Sequence, residues 1–299
     1  MTDRALAGRV AIVTGAGRGL GRAYALALAA DGAAVVVNDL GGDLHGNGAD
    51  PSPAESVVAE IVATGGQAIV SGHDVSDWAQ AGDLVATAVK TFGALHVLVN
   101  NAGILRDRLF ANMTEADWDA VIRVHLKGHA APSHHAMAYW RGLAKAGQGV
   151  AASIVHTTSL AGLIGNFGQA NYSAAKMAGV GLSLTLAREG EKYGVRSNAV
   201  SPSARTRIEE SLKPPPEGVF DTFHPGNVAP LICWLARQDC PATGQVFHTY
   251  GDRIEVFAPA VVAIDERNGA RWTVDALDRA LAGRLPALPQ LADYVPELR

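Results

Sequence analysis

Three side chains in the middle of the chain have the types and the spacing that proton transfer requires, namely Ser159, Tyr172 and Lys176. Residues four positions apart lie on the same face of a helix, so a helix that starts near Tyr172 brings the Lys176 ammonium beside the phenol. A neighbouring cation favours a phenolate and lowers a tyrosine pKa from its reference value of about 10. The pattern predicts a tyrosine that acts as a general acid or base.

A second pattern, near the N-terminus, predicts a phosphate-binding turn. An apolar run ends at Thr14 and is followed by Gly15, Gly19 and Gly21, after which an alanine-rich helical pattern continues to Gly32. Glycines at such a break allow a tight turn, let the backbone approach a pyrophosphate, and direct a helix N-terminus at its charge. A glycine-rich turn alone is a weak signal, whereas the spacing of these three glycines is more specific.

Together these residues resemble the short-chain dehydrogenase/reductase family. The family motifs are Thr-Gly-x3-Gly-x-Gly, Asn-Asn-Ala-Gly, and a Ser followed by Tyr-x3-Lys, and the resemblance covers residues 8–251. In this chain the motifs fall, in family order, at residues 14–21, at residues 100–103, and at Ser159, Tyr172 and Lys176. The resemblance implies that Tyr172 exchanges the hydroxyl or carbonyl proton, that Ser159 hydrogen-bonds the same oxygen, and that Lys176 binds the nicotinamide ribose.

Within the family, several segments are similar to the (3R)-hydroxyacyl-CoA dehydrogenase domain of peroxisomal multifunctional enzymes of type 2. They are residues 36–43, 100–108, 124–126 and 165–172. Residues 139–147 and 202–207 are more similar to bacterial members that act in steroid or lipid catabolism. The resemblance implies interconversion of a secondary alcohol and a ketone, with a 3-hydroxyacyl-CoA as the first candidate substrate. The alternatives are a 17-beta type hydroxysteroid dehydrogenase and, from another class, a catalytically silent nucleotide-sensing protein.

The resemblance also implies which residues bind the cofactor. They are Gly15, Arg18, Gly19, Leu20, Gly21, Asp39, Asp74, Val75, Asn101, Ala102, Gly103, Tyr172, Lys176, Ala204 and Thr206. Asp39 ends the second predicted strand, where a carboxylate accepts hydrogen bonds from the adenosine ribose and repels a 2′-phosphate. Arg18 occupies a position where NADP-dependent members often carry a basic residue. We give more weight to Asp39, because an arginine there can contact pyrophosphate or solvent instead, and we predict NAD as the cofactor.

Two further residues each have two interpretations. Asp74 matches the family position that holds adenine, although an aspartate there also suits the start of the next helix. His125 stands where many family members have an Asn that helps to hold a water in the proton relay. With a reference pKa of about 6.5, it can shuttle protons or be held by backbone hydrogen bonds. Other histidines nearby lack carboxylate partners at metal-ligand spacing, so we predict no metal.

Length and composition are consistent with one α/β domain over residues 1–251 and an extension over residues 252–299, packed on that domain or on a neighbouring subunit. The chain has 299 residues, of which 48% are hydrophobic and 33 are glycine, with a net charge of -4. That charge argues against nucleic-acid binding. No apolar run reaches the roughly 18 residues of a membrane span, and the start lacks a signal-peptide pattern, so we expect a cytoplasmic protein. Two cysteines suit reduced core thiols.

Strand and helix patterns alternate along the chain. We predict strands near residues 9–13, 34–38, 67–70, 95–99, 152–157, 195–200 and 245–249. Helical patterns include residues 52–64, 77–92, 114–141, 172–193, 227–236 and 273–282. Such alternation predicts a single Rossmann-type, doubly wound parallel sheet of about seven strands with helices on both faces. Ligands of these sheets bind beyond the carboxyl ends of the strands.

The substrate side is less clearly defined by sequence. We expect residues 160–169 and 202–224 to line an apolar pocket that suits an acyl chain or a sterol, with residues 213–218 as a candidate lid hinge. Arg205 and Arg207 are either ligands of CoA phosphates or surface charges. Residues 41–53 resemble a surface excursion. Family members are commonly homodimers or homotetramers that pair helices, here residues 114–141 and 172–193.

Overall fold

The computed structural model describes residues 4–206, 213–258 and 262–296. Strands alternate with helices through most of these ranges. The strands are β1 Val10–Thr14, β2 Ala34–Asn38, β3 Gln67–Ser71, β4 Val97–Asn100, β5 Ala152–Thr157, β6 Val195–Pro202, β7 Val246–Tyr250 and β8 Arg253–Phe257. The α-helices are α1 Gly19–Ala30, α2 Ser52–Ala63, α3 Trp78–Phe92, α4 Glu115–Ile122, α5 Gly128–Lys145, α6 Leu160–Ile164, α7 Ala170–Gly190, α8 Ala229–Ala236, α9 Val274–Leu281 and α10 Leu291–Tyr294. Short 3-10 helices cover Phe110–Asn112, Glu191–Tyr193 and Pro225–Asn227.

The strands form one sheet in the order β3-β2-β1-β4-β5-β6-β7-β8. All neighbours from β3 to β7 are parallel, and β8 alone among the described strands is antiparallel. Because the chain crosses from β3 at one edge back to β4 beside β1, the strand order reverses between β1 and β4. A crevice opens at such a reversal, and this is where doubly wound sheets bind dinucleotides. The predicted fold class is confirmed.

The eighth strand corrects the predicted number of about seven. β8 follows β7 through a two-residue turn in which Gly251 has φ +54, and Val246 pairs with Phe257. Its sequence, Arg-Ile-Glu-Val-Phe, alternates polar and apolar residues after a Gly-Asp pair, which is a hairpin signal that the prediction missed. Much of the strand is exposed at the sheet edge, with Ile254 61% accessible.

Both faces of the sheet are covered by helices, as the apolar strands require. The β1 and β2 residues are buried without exception, which is the pattern of strands covered on both sides. One core cluster packs α1, α2 and α8 on the first face, with Tyr24, Leu28 and Ile232 fully buried. A second cluster packs α3 and α5 on the other face, where the Trp140 indole donates to the Leu95 carbonyl at 2.7 Å.

The single helix predicted over residues 114–141 is instead three consecutive segments. α4 ends at Ile122, a π-helical turn covers Arg123–Lys127, and α5 then runs to Lys145. An inserted π turn rotates the side chains that follow it, and such turns are frequent at functional sites. Here the π turn contains His125, whose ring is bonded to a neighbouring loop. Side-chain periodicity did not indicate this interruption.

The contacts divide the chain into two units, residues 1–257 and 258–299. The first unit extends past the predicted domain end at residue 251 because β8 belongs to the sheet. Within the second unit, α9 lies close to the predicted helix at residues 273–282, and Thr273 Oγ1 caps it by accepting from the Ala276 amide at 3.2 Å. No helix in the described ranges is long and apolar enough to cross a membrane. Both cysteines, Cys233 and Cys240, are buried and free.

Candidate functional site

The turn between β1 and α1 depends on glycines at positions where a side chain would be strained or would clash. Gly15 and Gly19 have positive φ values of 63 and 53, conformations that residues with a Cβ rarely adopt. A Cβ on Gly21 would lie 2.1 Å from the Gly15 carbonyl oxygen. Arg18 precedes α1 in an extended conformation and provides no side-chain cap. The first amides of α1 are therefore available to an anion.

Asn101 and Ala102 hold this turn against β4. The Thr14 hydroxyl accepts from the Asn101 amide at 2.9 Å and from the Ala102 amide at 3.0 Å. The Asn101 side chain in turn donates to the carbonyl oxygens of Thr14 and Gly15 at 2.9 and 3.2 Å. A Cβ on Gly15 would lie 2.8 Å from the Ala102 Cα. These contacts bring two of the predicted cofactor segments together at the crevice.

Asp39 lies at the carboxyl end of β2, beside the glycine turn. Its Oδ2 accepts from the Gly17 amide at 2.7 Å and its Oδ1 accepts from the Gly41 amide at 2.6 Å. A carboxylate has about four lone-pair sites, so two amide bonds leave acceptors for ribose hydroxyls. Arg18 does not pair with Asp39 but lies 3.9 Å from Asp50, with both side chains well exposed.

Most of the remaining predicted cofactor residues lie at strand ends on the same edge of the sheet. Asp74 follows β3, where its Oδ1 accepts from the Ser76 amide and hydroxyl at 2.8 and 2.7 Å. The cap of α3 is Asp77 and not Asp74, and Val75 is buried. Leu20 is half-buried in α1. After β6, Ala204 is buried, and Thr206 lies beside Gly19, where an added Cβ would be 3.4 Å from Thr206 Cγ2.

Ser159 lies between β5 and α6, where it is the N-cap of α6. Its hydroxyl oxygen accepts from the Ala161 amide at 3.2 Å. This bond uses one of the two lone pairs of the hydroxyl oxygen and leaves the hydroxyl hydrogen available to donate to another oxygen.

Tyr172 and Lys176 lie one turn apart near the start of α7, as predicted, and both are buried. The Lys176 Nζ is 5.5 Å from the centre of the Tyr172 ring and donates to the Thr157 carbonyl at 2.6 Å. Burial lowers the pKa of Lys176 to about 7, because a desolvated ammonium is costly. The Lys176 ammonium beside the Tyr172 ring is thus itself close to titration at neutral pH.

His125 is held by backbone groups. Its Nε2 lies 2.7 Å from the Ile104 oxygen and 3.0 Å from the Ile104 nitrogen, so it donates to one or accepts from the other according to its tautomer. Its ring packs edge-on against Tyr172, with centroids 5.0 Å apart. Burial, and then the Lys176 charge, hold the pKa of His125 well below its ordinary value, while the Ile104 bond opposes them. His125 is a neutral ring at physiological pH.

Two further histidines, His129 and His156, are buried on the same side of the sheet. Their rings are 5.7 Å apart. Burial, followed by the Lys176 charge, lowers the pKa of His156 to about 3 and that of His129 well below its ordinary value. A hydrogen bond between His129 and the Ala102 backbone opposes that shift. These ranges contain no group of three or more His, Cys, Asp or Glu side chains arranged to hold a metal.

Two residues that the sequence interpretation did not single out position α7. Asn171 is fully buried; its side chain donates to the Arg106 and Asp117 carbonyls at 3.1 and 3.2 Å and accepts from the Tyr172 amide at 2.8 Å. Gly162 lets α6 approach α7, because a Cβ there would lie 2.7 Å from the Lys176 Cβ. The Asn directly before the tyrosine was a readable signal. The Gly162 contact depends on tertiary packing.

The substrate side is apolar but only partly described. Leu163 and Ile164 are half-buried and Phe167 is 87% exposed. Arg205 donates hydrogen bonds from both terminal nitrogens to the Asp221 carboxylate, one of them at 3.1 Å. This ion pair favours a structural role for Arg205 over a role as a ligand of CoA phosphates. Arg207 lies outside the described residues.

Fold and site together define a Rossmann-type dinucleotide-binding protein. The family model for short chain dehydrogenases matches residues 9–215. Mouse peroxisomal multifunctional enzyme type 2 is 48% identical over 241 residues, which are 80% of this chain and 31% of that enzyme, so the chain spans about a third of its length. A hydroxyacyl-CoA dehydrogenase of Mycobacterium tuberculosis is 44% identical over 265 residues, covering 85% of this chain and 81% of the relative.

A solved structure gives the same result. The crystal structure of a short chain dehydrogenase from Mycobacterium avium has a TM-score of 0.85 and 49% identity, and the match covers 95% of this chain and 98% of that one. The chain therefore belongs to the short chain dehydrogenase family. It is an oxidoreductase that acts on CH–OH groups and uses a nicotinamide dinucleotide.

Proposed function

We propose that this protein is an NAD-dependent dehydrogenase that interconverts a 3-hydroxyacyl-CoA and its ketone. The observation that carries the proposal is a continuous set of contacts from the glycine turn to the proposed catalytic groups. Asn101 bonds Gly15 and lies 3.5 Å from the Thr157 hydroxyl, while the Thr157 carbonyl accepts from Lys176. The dinucleotide site and the tyrosine side chain thus belong to one crevice.

The residues present fit the dinucleotide. The glycine turn has no side chain at Gly15, Gly19 and Gly21 to cover its backbone, the first amides of α1 suit a pyrophosphate, and Asp39 suits a ribose. Asp74 and Val75 are proposed to contact adenine, and Ala204 and Thr206 the nicotinamide side. When bound, the nicotinamide ring accepts or supplies the hydride.

The chain's own residues accept and stabilise the proton that the reaction releases. In the oxidation direction, the Tyr172 oxygen accepts the proton that leaves the alcohol, and Ser159 donates a hydrogen bond to the same substrate oxygen. Lys176 in its charged form favours the phenolate and donates to the nicotinamide ribose. We propose that His125 serves this reaction by holding Ile104 and the edge of the Tyr172 ring, because its nitrogen is committed to the backbone.

NAD is proposed over NADP because the Asp39 carboxylate lies where a 2′-phosphate would approach. An unpaired carboxylate against a phosphate is a repulsive element of the kind that sets cofactor specificity. Replacing Asp39 by Asn removes the charge while keeping the shape. We expect the ratio of kcat/KM for NAD to that for NADP to fall about tenfold or more, which is about 1.4 kcal/mol. An unchanged ratio would refute the role of Asp39.

The substrate class is supported by the relatives and by the pocket wall. The mycobacterial relative is named a hydroxyacyl-CoA dehydrogenase and the mouse relative a peroxisomal multifunctional enzyme. The wall formed by Leu163, Ile164 and Phe167 is apolar. Apolar walls with a few convergent polar groups are typical of small-molecule sites. An acyl chain fits this chemistry.

The test is a panel of 3-hydroxyacyl-CoA esters and steroid alcohols, assayed in parallel with NAD and NADP. We expect NADH formation with the CoA esters and its loss, by about 10³-fold, in Tyr172→Phe. Activity on steroid ring hydroxyls alone would favour the hydroxysteroid alternative. Tight NADH binding without turnover of any alcohol would identify a nucleotide-sensing protein.

We further propose a homodimer or homotetramer that pairs the α4–α5 and α7 segments. The outer side of α7 supports this, because Met177 is 51% exposed and a Cβ on Gly181 would meet nothing within 4 Å. Such an open, small-residue face allows close helix packing. Light scattering coupled to size exclusion measures the mass, and a monomer at micromolar concentration would contradict the proposal.

A further inference from the structure

Residues 40–50, here called the cofactor-side loop, form a closed and internally bonded segment and not a loose excursion. The Asp43 carboxylate accepts from the His45 and Asn47 amides, each at 2.8 Å. At its base the Asp50 amide donates to the Leu40 carbonyl at 3.1 Å. A Cβ on Gly41 would lie 1.7 Å from the Asp50 oxygen. The loop therefore has a defined shape, in which the position of one end constrains the position of the other.

One end of the cofactor-side loop is attached to the proposed ribose ligand. The Gly41 amide donates to Asp39 Oδ1 at 2.6 Å, while the other carboxylate oxygen accepts from Gly17 in the glycine turn. Any hydroxyl that bonds Asp39 thus also stabilises the position of Gly41. The start of the loop and the adenosine ribose share one carboxylate.

The tip of the cofactor-side loop is attached to residues 101–109, here called the active-site loop. The Leu105 amide donates to the Leu44 carbonyl at 3.0 Å, and the His45 ring nitrogen Nδ1 is 3.0 Å from the Leu105 oxygen. Arg106 donates two bonds to the His45 carbonyl, at 3.2 and 3.1 Å. The tip is therefore bonded to the active-site loop, although it lies only a few residues beyond Asp39 in sequence.

The active-site loop in turn holds the catalytic tyrosine. Leu44 packs against the apolar cluster that contains Ile104, Leu105 and Tyr172. Asn171, whose side chain accepts from the Tyr172 amide, bonds the Arg106 carbonyl from the other side. The start of α7 is thus contacted in two ways, by the apolar cluster that includes the Leu44 side chain and by the hydrogen bond from Asn171 to the Arg106 carbonyl.

We propose that Leu44 and His45 are positioning residues through which binding of the adenosine half of the dinucleotide holds Tyr172 in place. The inference rests on the proposed function, because it takes Asp39 as a ribose ligand. Energy from a remote part of a bound molecule is thereby used to orient the reacting groups. Neither residue touches the substrate or the nicotinamide in this scheme.

The first test does not depend on turnover and uses ADP-ribose, which lacks the nicotinamide. Hydrogen exchange is followed by mass spectrometry in peptides that cover residues 14–21, 101–109 and 170–176. We expect ADP-ribose to slow exchange in all three in the wild type, and in Leu44→Ala to protect only the glycine turn. Protection of the glycine turn alone in the wild type would overturn the inference and leave the cofactor site standing. Protection of no peptide would refute the dinucleotide site itself, and the inference with it.

The second test separates positioning from stability. Leu44→Ala and His45→Ala are compared with Leu40→Ala, which removes a 43% exposed side chain from the same loop. We expect Leu44→Ala to lower kcat about tenfold with an unchanged NADH dissociation constant, Leu44→Met to restore it, and Leu40→Ala to match the wild type. A lower melting temperature with unchanged kcat would mean that Leu44 is only structural, and a weaker NADH affinity with unchanged kcat would assign the loop to cofactor binding alone.

Discussion

The glycine turn and the α6–α7 pair reach the same crevice by different means. In the turn, Gly15, Gly19 and Gly21 are needed because they have no side chains. The tightest contact that an added Cβ would make is from Gly21 to the Gly15 oxygen, six positions earlier in sequence. In the α6–α7 pair, the chemical groups are held by contacts between separate elements, as where the Thr158 hydroxyl donates to the Lys176 carbonyl at 2.8 Å. The first region is mainly a local backbone structure, to which Asn101 is bonded from the end of β4, and the second depends on packing between helices.

This difference has a consequence for tolerance to substitution. At Gly15 and Gly21 an added Cβ would meet backbone atoms at 2.8 and 2.1 Å, and those atoms cannot rotate away as a side chain can. Two packed helices can separate by a few tenths of an ångström, at the cost of misplacing the groups that they carry. We therefore expect changes in the turn to abolish cofactor binding and changes between the helices to impair the chemistry more than the binding.

The largest effect is expected for Gly21→Ala. The added Cβ would lie 2.1 Å from the Gly15 oxygen and 2.7 Å from Asn101 Nδ2, which is closer than any relaxation of the turn can accommodate. Overpacking usually costs about 1–3 kcal/mol, and a clash with backbone exceeds that range, so NADH affinity falls by more than about 10²-fold. Fluorescence titration with NADH measures it, alongside a melting curve. A near-native affinity in a folded variant would show that the turn is not rigid.

Gly162→Ala is expected to have the next largest effect. A Cβ at Gly162 would lie 2.7 Å from the Lys176 Cβ and 2.9 Å from its carbonyl carbon, so α6 must shift and carry Ser159 with it. We expect kcat to fall about tenfold to 10²-fold while NADH affinity changes little.

Gly179→Ala is the matched control, because this glycine lies on α7 away from the Met177 face, with nothing within 4 Å of the added Cβ. It should behave as the wild type or slightly more stable, since alanine favours a helix. If both glycine variants lost activity equally, helix α7 would be sensitive along its length and the specific contact at Lys176 would not explain the result.

The same contrast explains which features the sequence predicts. The glycine spacing, Asp39 at the end of β2 and the one-turn spacing from Tyr172 to Lys176 are local relations, and local relations are visible in a sequence. β8 is also a local pattern, a Gly-Asp turn followed by alternating polar and apolar residues, so the sequence contained the signal although we did not predict the strand. Because β8 only adds an antiparallel edge strand, the predicted alternation of strands and helices still gave the correct sheet class.

Other features depend on residues far apart in the chain and had no pattern to reveal them. The π turn at His125 is paired with Ile104, 21 positions earlier, and the cofactor-side loop meets the active-site loop across 60 positions, from His45 to Leu105. Burial of Lys176 likewise follows from packing. These long-range contacts determine where the motif residues lie relative to one another, which the motifs alone do not predict.

A moderate effect is expected on cofactor affinity between pH 6 and pH 8. Burial lowers the pKa of Lys176 to about 7 in the free protein, so its ammonium is present below that pH and is lost as the pH rises through it. Since the ammonium is proposed to donate to the nicotinamide ribose, the NADH dissociation constant should rise about tenfold over this range. Lys176→Met removes the titrating group and should give a weaker, pH-independent affinity. A flat wild-type profile would place the pKa of Lys176 outside the range.

The smallest effect is expected for the Arg205–Asp221 pair on the substrate side. Arg205 donates to Asp221 through both terminal nitrogens, and the side chains are each 22% exposed, so solvent screens part of the attraction. Arg205→Ala should raise KM for a CoA ester and for its CoA-free analogue equally, by about fivefold at most, because the arginine holds a loop and does not contact the CoA phosphates. Asp221→Asn, which leaves the arginine in place but weakens the pair, should give the same result. A selective rise for the CoA ester in Arg205→Ala but not in Asp221→Asn would show instead that the guanidinium binds CoA. In that case the substrate side would bind phosphate directly, as the glycine turn is proposed to do. Phosphate binding would then not distinguish the glycine turn from the rest of the crevice.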